Sequence, residues 1–142
     1  MSPVRCCCWL IVVALFVPAV GCSSAKRAEQ IADKGKEQLF DGDRKQAIST
    51  LTKAIKTDPG CRKAYIFRGM CYAESNQVQK ALRDYTKAID LDPNDSYAYE
   101  QRAILYRTKL KDKAKAKADA DKAAALRQGV RDEQRELYNS AR

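Results

Sequence analysis

The hydrophobic and polar positions divide the chain into two parts with different patterns. Residues 6–20 form an unbroken apolar run, whereas from residue 28 onward apolar residues recur every three or four positions among charged ones. This spacing places apolar side chains on one face of a helix, as with Tyr65, Gly69 and Tyr72. Asp-Gly and Asp-Pro turns interrupt the pattern, and Gly129 is expected to end the sixth helix. Helices are predicted over residues 28–40, 44–57, 62–75, 78–91, 96–109, 112–128 and 130–138.

The helical pattern repeats at a fixed interval along the chain. A step of 34 places residues 87–89 (Lys-Ala-Ile) on residues 53–55, and the Asp-Pro pair at 92–93 on the pair at 58–59. A third copy aligns when one residue is inserted in its turn, which makes its step 35. A fixed period near this length predicts an all-α array of stacked helix pairs with a terminal cap. The expected units are residues 28–61, 62–95, a degenerate 96–130, and a cap or tail at 131–142.

The second copy carries the residues of a known repeat. Its large, small and aromatic positions resemble the tetratricopeptide repeat pattern, with tyrosine where tryptophan is usual. The first copy departs from the pattern at Gln38 and the third at Ala120. The resemblance implies a right-handed superhelix of antiparallel helix pairs, whose first helices line a concave groove that binds an extended peptide or a helix. The matching residues of the second copy are Tyr65, Gly69, Tyr72, Ala81, Tyr85, Ala88 and Pro93.

Residues 1–21 have the pattern of an export signal. Arg5 precedes the apolar run at 6–20, which is shorter than the roughly 20 residues of a membrane-spanning helix. The run ends in Ala19-Val20-Gly21-Cys22, which resembles the lipobox of bacterial lipoproteins. The resemblance implies cleavage before Cys22 and lipid attachment to its thiol, with residues 22–27 as a short tether. Ordinary secretion and an uncleaved anchor helix are the alternatives.

The lipobox resemblance also implies a location. The domain is expected in the cell envelope, held on a membrane by its lipid anchor. Ser23 follows the cysteine, and an aspartate there often retains such proteins in the inner membrane. The outer membrane, facing the periplasm, is therefore the expected location in a bacterium with two membranes. Nucleic acid is not an expected partner of an exported protein, despite a formal charge of +9.

Composition argues against catalysis. The chain has 142 residues and no histidine, which excludes histidine-based triads, general bases and metal sites. No nucleophile–base pair, glycine-rich phosphate loop or metal-ligand spacing occurs. We therefore expect a protein that is not an enzyme and needs no cofactor. Cys71, between Met70 and Tyr72, is expected to be a buried thiol.

Charged residues recur on faces that the repeat predicts to be largely buried. Arg68 and Arg102 occupy equivalent positions in successive copies, each directly before the small residue of its first helix, and Asp84 and Asp119 recur on the second helices. Because an unpaired buried charge is costly, we expect Arg68 to pair with Asp84 and Arg102 with Asp119. The alternative is a cationic track that binds a ligand.

The concave groove should be lined by residues one position round from the packing stripe of the first helices. This surface has an apolar middle and charged ends, and Met70 suits adaptable contacts. The alternative is that Met70 and Ile104 belong to the core. The predicted groove residues are Lys36, Lys63, Ile66, Met70, Tyr97, Glu100, Ile104 and Arg107.

A basic patch follows the groove residues in the third copy. It is either a solvated lysine-rich face or a contact for anionic lipid or an anionic envelope polymer. The function expected for the whole chain is that of a lipid-anchored scaffold that binds another envelope protein through its groove. Partner identity and oligomeric state are left open. The basic patch consists of Lys109, Lys111, Lys113, Lys115 and Lys117.

Overall fold

The computed structural model describes the backbone of residues 20–142 and the side chains from Ser23 onward. Residues 1–19 and the Cys22 side chain, on which the signal and lipidation predictions depend, lie outside this description. Among residues 20–142, no helix is both long enough and apolar enough to cross a membrane. The described part contains six α-helices: α1 Val20–Phe40, α2 Arg44–Thr57, α3 Arg62–Glu74, α4 Val78–Leu91, α5 Ser96–Leu105 and α6 Lys113–Ser140.

The helices pack as three antiparallel pairs, α1 with α2, α3 with α4 and α5 with α6, and each pair stacks on the next. The predicted all-α repeat fold is therefore confirmed. Buried alanines and leucines fill the joint between the first pair and α3, and Tyr85 and Leu105 are buried where α4 meets α5.

The turns between the two helices of each pair share one backbone feature, a residue with a positive φ angle. Gly42, Asn76 and Lys111 occupy equivalent positions and have positive φ angles of +88°, +57° and +57°. A residue in the left-handed region reverses the chain after a helix. In the third pair, a π-helical turn at Tyr106–Leu110 precedes Lys111. A π-helical turn accommodates an extra residue, which agrees with the one-residue insertion expected from the sequence.

Aspartates cap the helices that follow the turns. The Asp43 and Asp112 carboxylates accept hydrogen bonds from backbone N–H groups three residues on, at 3.1 and 3.0 Å. Asp95 accepts from the N–H groups of Tyr97 and Ala98 at the start of α5. These bonds satisfy N–H donors that the helix itself leaves without partners. The starts of α2, α5 and α6 are therefore set by local sequence.

Close helix contact within the first two pairs depends on glycine. A Cβ atom built on Gly35 would lie 2.6 Å from Leu51 Cγ, and one on Gly69 would lie 2.7 Å from Tyr85 Cε1. Both distances are far below van der Waals contact, so the paired helices approach more closely than a side chain allows. Tyr85 is 2% exposed as a result.

Two boundary predictions at the ends of the array are wrong. Helix α1 begins at Val20 rather than at residue 28, so the backbone of the expected tether at 22–27 is helical. At the other end, α6 runs through Gly129 to Ser140 without a break. A glycine inside a helix costs only about 1 kcal/mol relative to alanine, and no proline follows to stop the helix. Leu137, inside the segment expected to form the cap, is 64% exposed.

Candidate functional site

A cleft between α3 and α5 opens on the face formed by the first helices of the repeats. Its volume is about 290 Å³. Met70 and Ile104 both line it, and the Tyr97 hydroxyl donates a hydrogen bond to Met70 Sδ at 3.7 Å. We call this cleft the groove. Its lining residues are Met70, Ala73, Glu74, Tyr85, Gln101, Ile104, Leu105, Thr108 and Lys109.

The two apolar residues predicted for the middle of the groove differ in burial. Met70 is half-buried and packs against all three hydrophobic clusters, so it belongs partly to the core. Ile104 is 38% exposed and is free to contact a ligand. Ile66, also predicted for the groove, is 4% exposed and packs against Ala88 and Ala98 in the core. It offers no open surface, because α5 covers it.

The charged residues predicted for the groove are spread over the length of the array. Lys63 forms an ion pair with Asp33 at 2.9 Å, which ties α3 to α1. Glu100 pairs with Arg127 of α6 at 3.1 Å. The ammonium group of Lys36 lies 5.6 Å from the ring centroid of Phe67, a cation–π distance.

Tyr97 stands at the edge of the groove and remains a hydrogen-bond donor over a wide pH range. Partial burial, and then the negative charges of Glu100 and Asp95, raise the pKa of its hydroxyl above the usual value. Its side chain is 39% exposed, so the hydroxyl that contacts Met70 is also within reach of a ligand.

Sequence reasoning missed part of the groove lining. Gln101 and Thr108 lie three residues before and four residues after Ile104, so they share its helix face. The spacing alone could have found them. Tyr85 comes from α4, a second helix, and the pattern of first helices gives no sign of it.

The two predicted arginine–aspartate pairs are present and have the same geometry. Arg68 donates from Nε and Nη2 to the two carboxylate oxygens of Asp84, both at 2.8 Å. Arg102 makes the equivalent pair of bonds to Asp119 at 2.7 and 2.9 Å. The exposed side-chain fractions are 17% and 9% in the first pair. Hydrogen bonding to the aspartate raises the pKa of each arginine further above its usual value.

Each of these arginines also reaches back to the preceding repeat. The Nη1 atom of Arg68 donates to Thr52 Oγ1, and that of Arg102 donates to Thr86 Oγ1, both at 3.2 Å. Tyr65 and Tyr99 pack on the guanidinium groups at 5.6 and 5.7 Å. With their donors engaged in this way, the arginines hold repeats together and do not form a ligand track.

Partners within the chain engage most of the basic patch. Lys109 donates to Asn76 Oδ1, Lys115 pairs with Asp112 and Lys117 pairs with Asp121. Lys111 supplies the positive φ of the third turn, and Lys113 lies at the mouth of a second cleft. This arrangement favours the interpretation of a solvated face, and binding of anionic lipid or polymer stays a prediction.

The second cleft lies between α5 and α6, at the far end of the stack, and sequence reasoning did not identify it. Its volume is about 350 Å³. Small apolar side chains form its floor and cations surround it, including Arg107, which was predicted for the groove. We call it the end cleft. Its lining residues are Glu100, Ala103, Ile104, Arg107, Lys113, Ala116, Lys117, Ala120, Ala123 and Arg127.

Comparison with known families agrees with this geometry. Residues 63–95 and 84–118 each match a model described as a tetratricopeptide repeat. The fold thus defines an α-helical repeat protein of stacked helix pairs. Residues 63–118 consist of tetratricopeptide repeats, and the six described helices have the fold of such an array.

Curated relatives match over short stretches of much longer proteins. Hsp70-Hsp90 organizing protein 3 of Arabidopsis thaliana is 34% identical over 92 residues, which are 61% of this chain and 16% of that protein. The DnaJ homolog subfamily C member 7 homolog of Dictyostelium discoideum is 42% identical over 50 residues, 35% of this chain and 9% of that protein. The chain therefore spans less than a fifth of the length of these relatives.

Solved structures match over most of the chain. The TPR2B domain of yeast Sti1, in a complex with pHsp70, aligns with a TM-score of 0.70 and 28% identity. This match covers 80% of this chain and 92% of that one. The second TPR domain of Spaghetti (RPAP3), bound to the Hsp90 peptide SRMEEVD, aligns with a TM-score of 0.67 and 28% identity, covering 73% and 95%.

Proposed function

We propose that the chain is a non-enzymatic adaptor that binds a peptide segment of a partner protein in the groove. The groove itself carries the proposal. It is an open cleft lined by an exposed apolar residue, Ile104, a polarisable thioether at Met70, and two charged residues, Glu74 and Lys109. Pockets of this kind bind ligands through apolar contact and use a few polar groups to orient them.

The relatives support this proposal. The Sti1 domain was solved in a complex with pHsp70 and the Spaghetti domain with an Hsp90 peptide, and both resemble this chain over more than nine-tenths of their own length. The ligand of this chain is a separate question. A segment with a bulky apolar side chain between polar neighbours fits a groove whose centre is Met70 and Ile104.

We further propose that the partner is an envelope protein and that a lipid on Cys22 tethers the adaptor to a membrane. The residues that support this are Arg5, the apolar run at 6–20 and the small residues before Cys22. Labelling cells with a clickable fatty acid tests the tether. Label on the wild type that disappears in Cys22→Ala is the expected result, and a wild type without label contradicts it.

The groove is tested by site-specific photocrosslinking in intact cells. A photoreactive amino acid at Ile104 should capture a discrete partner, and the same amino acid at Leu91 should not, because Leu91 is similarly exposed but lies outside the groove. Gln101→Glu, a change within the groove lining, should weaken the capture. Equal capture from positions 104 and 91 would show that the groove is not the binding site.

Ile104→Asp provides an independent test in the purified protein. Ile104 is 38% exposed, so the change should leave the fold intact and weaken binding of the captured partner by about tenfold or more. Met70 is a poorer choice, since it contacts all three core clusters and its substitution would also destabilise the domain. Unchanged affinity in Ile104→Asp would contradict the proposal.

A further inference from the structure

The end cleft occupies a position that holds a helix one repeat earlier. A step of 34 relates Ile104 to Met70, and a step of 35 relates Ala116 to Ala81. Met70 and Ala81 pack against α5, whose Leu105 is buried with Ala81 and Tyr85 and is only 2% exposed. The end cleft therefore has the shape of a helix seat, and no helix of the described chain lies in it.

The same chain carries a helix face without a partner. Beyond Ala123, α6 extends into solvent, with Val130, Leu137 and Tyr138 exposed to 55%, 64% and 66%. Val130, Leu137 and Ala141 are spaced i, i+7 and i+11, so they lie along one face. Exposed apolar stripes of this kind mark interaction surfaces. We call residues 130–140 the tip of α6.

The tip cannot reach the end cleft of its own chain. Helix α6 is continuous from Lys113 to Ser140, so the tip points away from the residues of α6 that line the cleft. The tip nevertheless matches the seat in length. It spans residues 130–140, and α5, which fills the equivalent seat, spans Ser96–Leu105, so each is roughly three helical turns long.

Cations surround the end cleft, and an acidic residue lies beside the apolar stripe of the tip. Arg107, Lys113 and Lys117 surround the end cleft, and Lys117 has its carboxylate partner, Asp121, on its own helix. The tip carries three acidic residues and two arginines, and Arg135 pairs with Asp132 on the same helix. Glu133 lies beside the apolar stripe, between Val130 and Leu137. A second copy of this chain therefore offers an apolar face and acidic groups that match the apolar floor and the cations of the end cleft.

We propose that two copies of the chain form a dimer in which the tip of each occupies the end cleft of the other. The two α6 helices then run antiparallel about a two-fold axis near Gly129, which places each tip against the α5–α6 surface of its partner. This is an isologous contact, in which the same two surfaces are used twice. It buries the end of the stack that a terminal helix must otherwise cover.

The test measures the mass of the full chain in a mild detergent, by light scattering across a range of concentrations. The wild type should be a dimer. Leu137→Glu should weaken the dimer by about tenfold or more, whereas Asn139→Glu, on the opposite face of the same helix, should not. Circular dichroism checks that both variants keep their helix content. A monomeric wild type, or equal effects of the two variants, would overturn the proposal.

A mixing experiment separates exchange between copies from other contacts. Ala120 is exposed in the end cleft, so Ala120→Trp should fill the seat without disturbing the core. Alone, Ala120→Trp and Leu137→Glu should each be mainly monomeric. Mixed, they should form a heterodimer, because one intact tip then meets one intact seat. Failure of the mixture to associate would contradict reciprocal exchange and would favour a tip that binds another protein.

Discussion

The buried arginines of this array have few free donors, and this decides their role. Arg68 uses two nitrogens on Asp84 and a third on Thr52, while Tyr65 packs on its guanidinium plane. A buried charge is tolerated only when its hydrogen bonds are satisfied, and here both helices of the repeat and the preceding repeat contribute partners. Each arginine can therefore form all of these bonds only when three helices are correctly placed.

Removal of the carboxylate should expose this dependence. Asp84→Ala leaves a mostly buried guanidinium without its bidentate partner, and we expect the free energy of unfolding to fall by about 3 kcal/mol. The measurement is urea unfolding followed by circular dichroism. A double-mutant cycle with Arg68→Met should show a coupling energy of about 1 kcal/mol or more.

The exposed pair Lys117–Asp121 is the matched control for this cycle. Its side chains are 78% and 65% exposed, so its coupling should be close to zero. Equal coupling in the buried and exposed pairs would mean that burial does not strengthen the Arg68–Asp84 interaction.

Cys71 should behave as an inert thiol in the folded protein. It is fully buried, and burial raises the pKa of its thiol from 9.0 to about 11. Because the thiolate is the reactive form, alkylation of Cys71 at neutral pH should be at least about tenfold slower in the native protein than in urea. Mass spectrometry of the alkylated peptides gives the rate, and rapid native labelling would contradict the buried position.

The same shift has a consequence for stability. Since the folded pKa of Cys71 lies above the unfolded value, its contribution is fully present below about pH 9 and is lost as the pH rises toward 11. Burial also raises the pKa values of Cys61 and Tyr85, so they act in the same direction. Stability should therefore fall over this alkaline window, and Cys71→Ala should make the fall less steep.

At the scale of the helix, glycine has opposite roles in α3 and α6. Gly69 allows α3 to approach Tyr85 of α4 more closely than any side chain permits, whereas Gly129 has no atom within 4 Å of its would-be Cβ. The sequence predicted Gly69 to lie inside a helix and Gly129 to end one, and only the prediction for Gly69 was correct. A glycine signals a helix end only when capping bonds or a proline support it, and residues after Gly129 continue to favour helix.

These two glycines predict opposite mutational effects. Gly69→Ala should destabilise the domain by about 1–3 kcal/mol, because the new methyl group overpacks against the Tyr85 ring despite a better helix propensity. Gly129→Ala should raise helix content or leave it unchanged, since alanine is favoured by about 1 kcal/mol inside a helix. Thermal unfolding and circular dichroism compare the two, and a stabilising Gly69→Ala would refute the close approach.

At the scale of the whole molecule, the period of the sequence predicted the stack, its pairs and both buried ion pairs. It did so because each repeat places the same types of packing residue at the same spacing. It could not predict the helix boundaries at the two ends of the array, because a terminal helix has no further repeat beyond it to pack against. Whether α6 ends or continues at Gly129 depends on the difference in free energy between capping the helix and extending it. The repeat pattern contains no information about that difference.

Hydrogen exchange should map this difference between the middle and the ends. Helices α3 and α4 have neighbours on both sides and contain most of the large buried side chains, so their amides should exchange slowest. In a dilute sample of Leu137→Glu, amides from residue 126 to residue 140 should exchange fastest. Uniform protection along the chain would contradict the solvent-exposed tip.

The threonine that each arginine reaches in the preceding repeat bears on how such a chain can lengthen. Residues 62–95 contain Arg68 and Asp84, which pair with each other, and Thr86, which accepts a hydrogen bond from the arginine of the next repeat. A tandem duplication of this one unit would insert a copy whose arginine finds Thr86 behind it and whose own threonine serves Arg102. No interface would need rebuilding. Descendants of this gene could therefore gain groove length one unit at a time from the middle of the array.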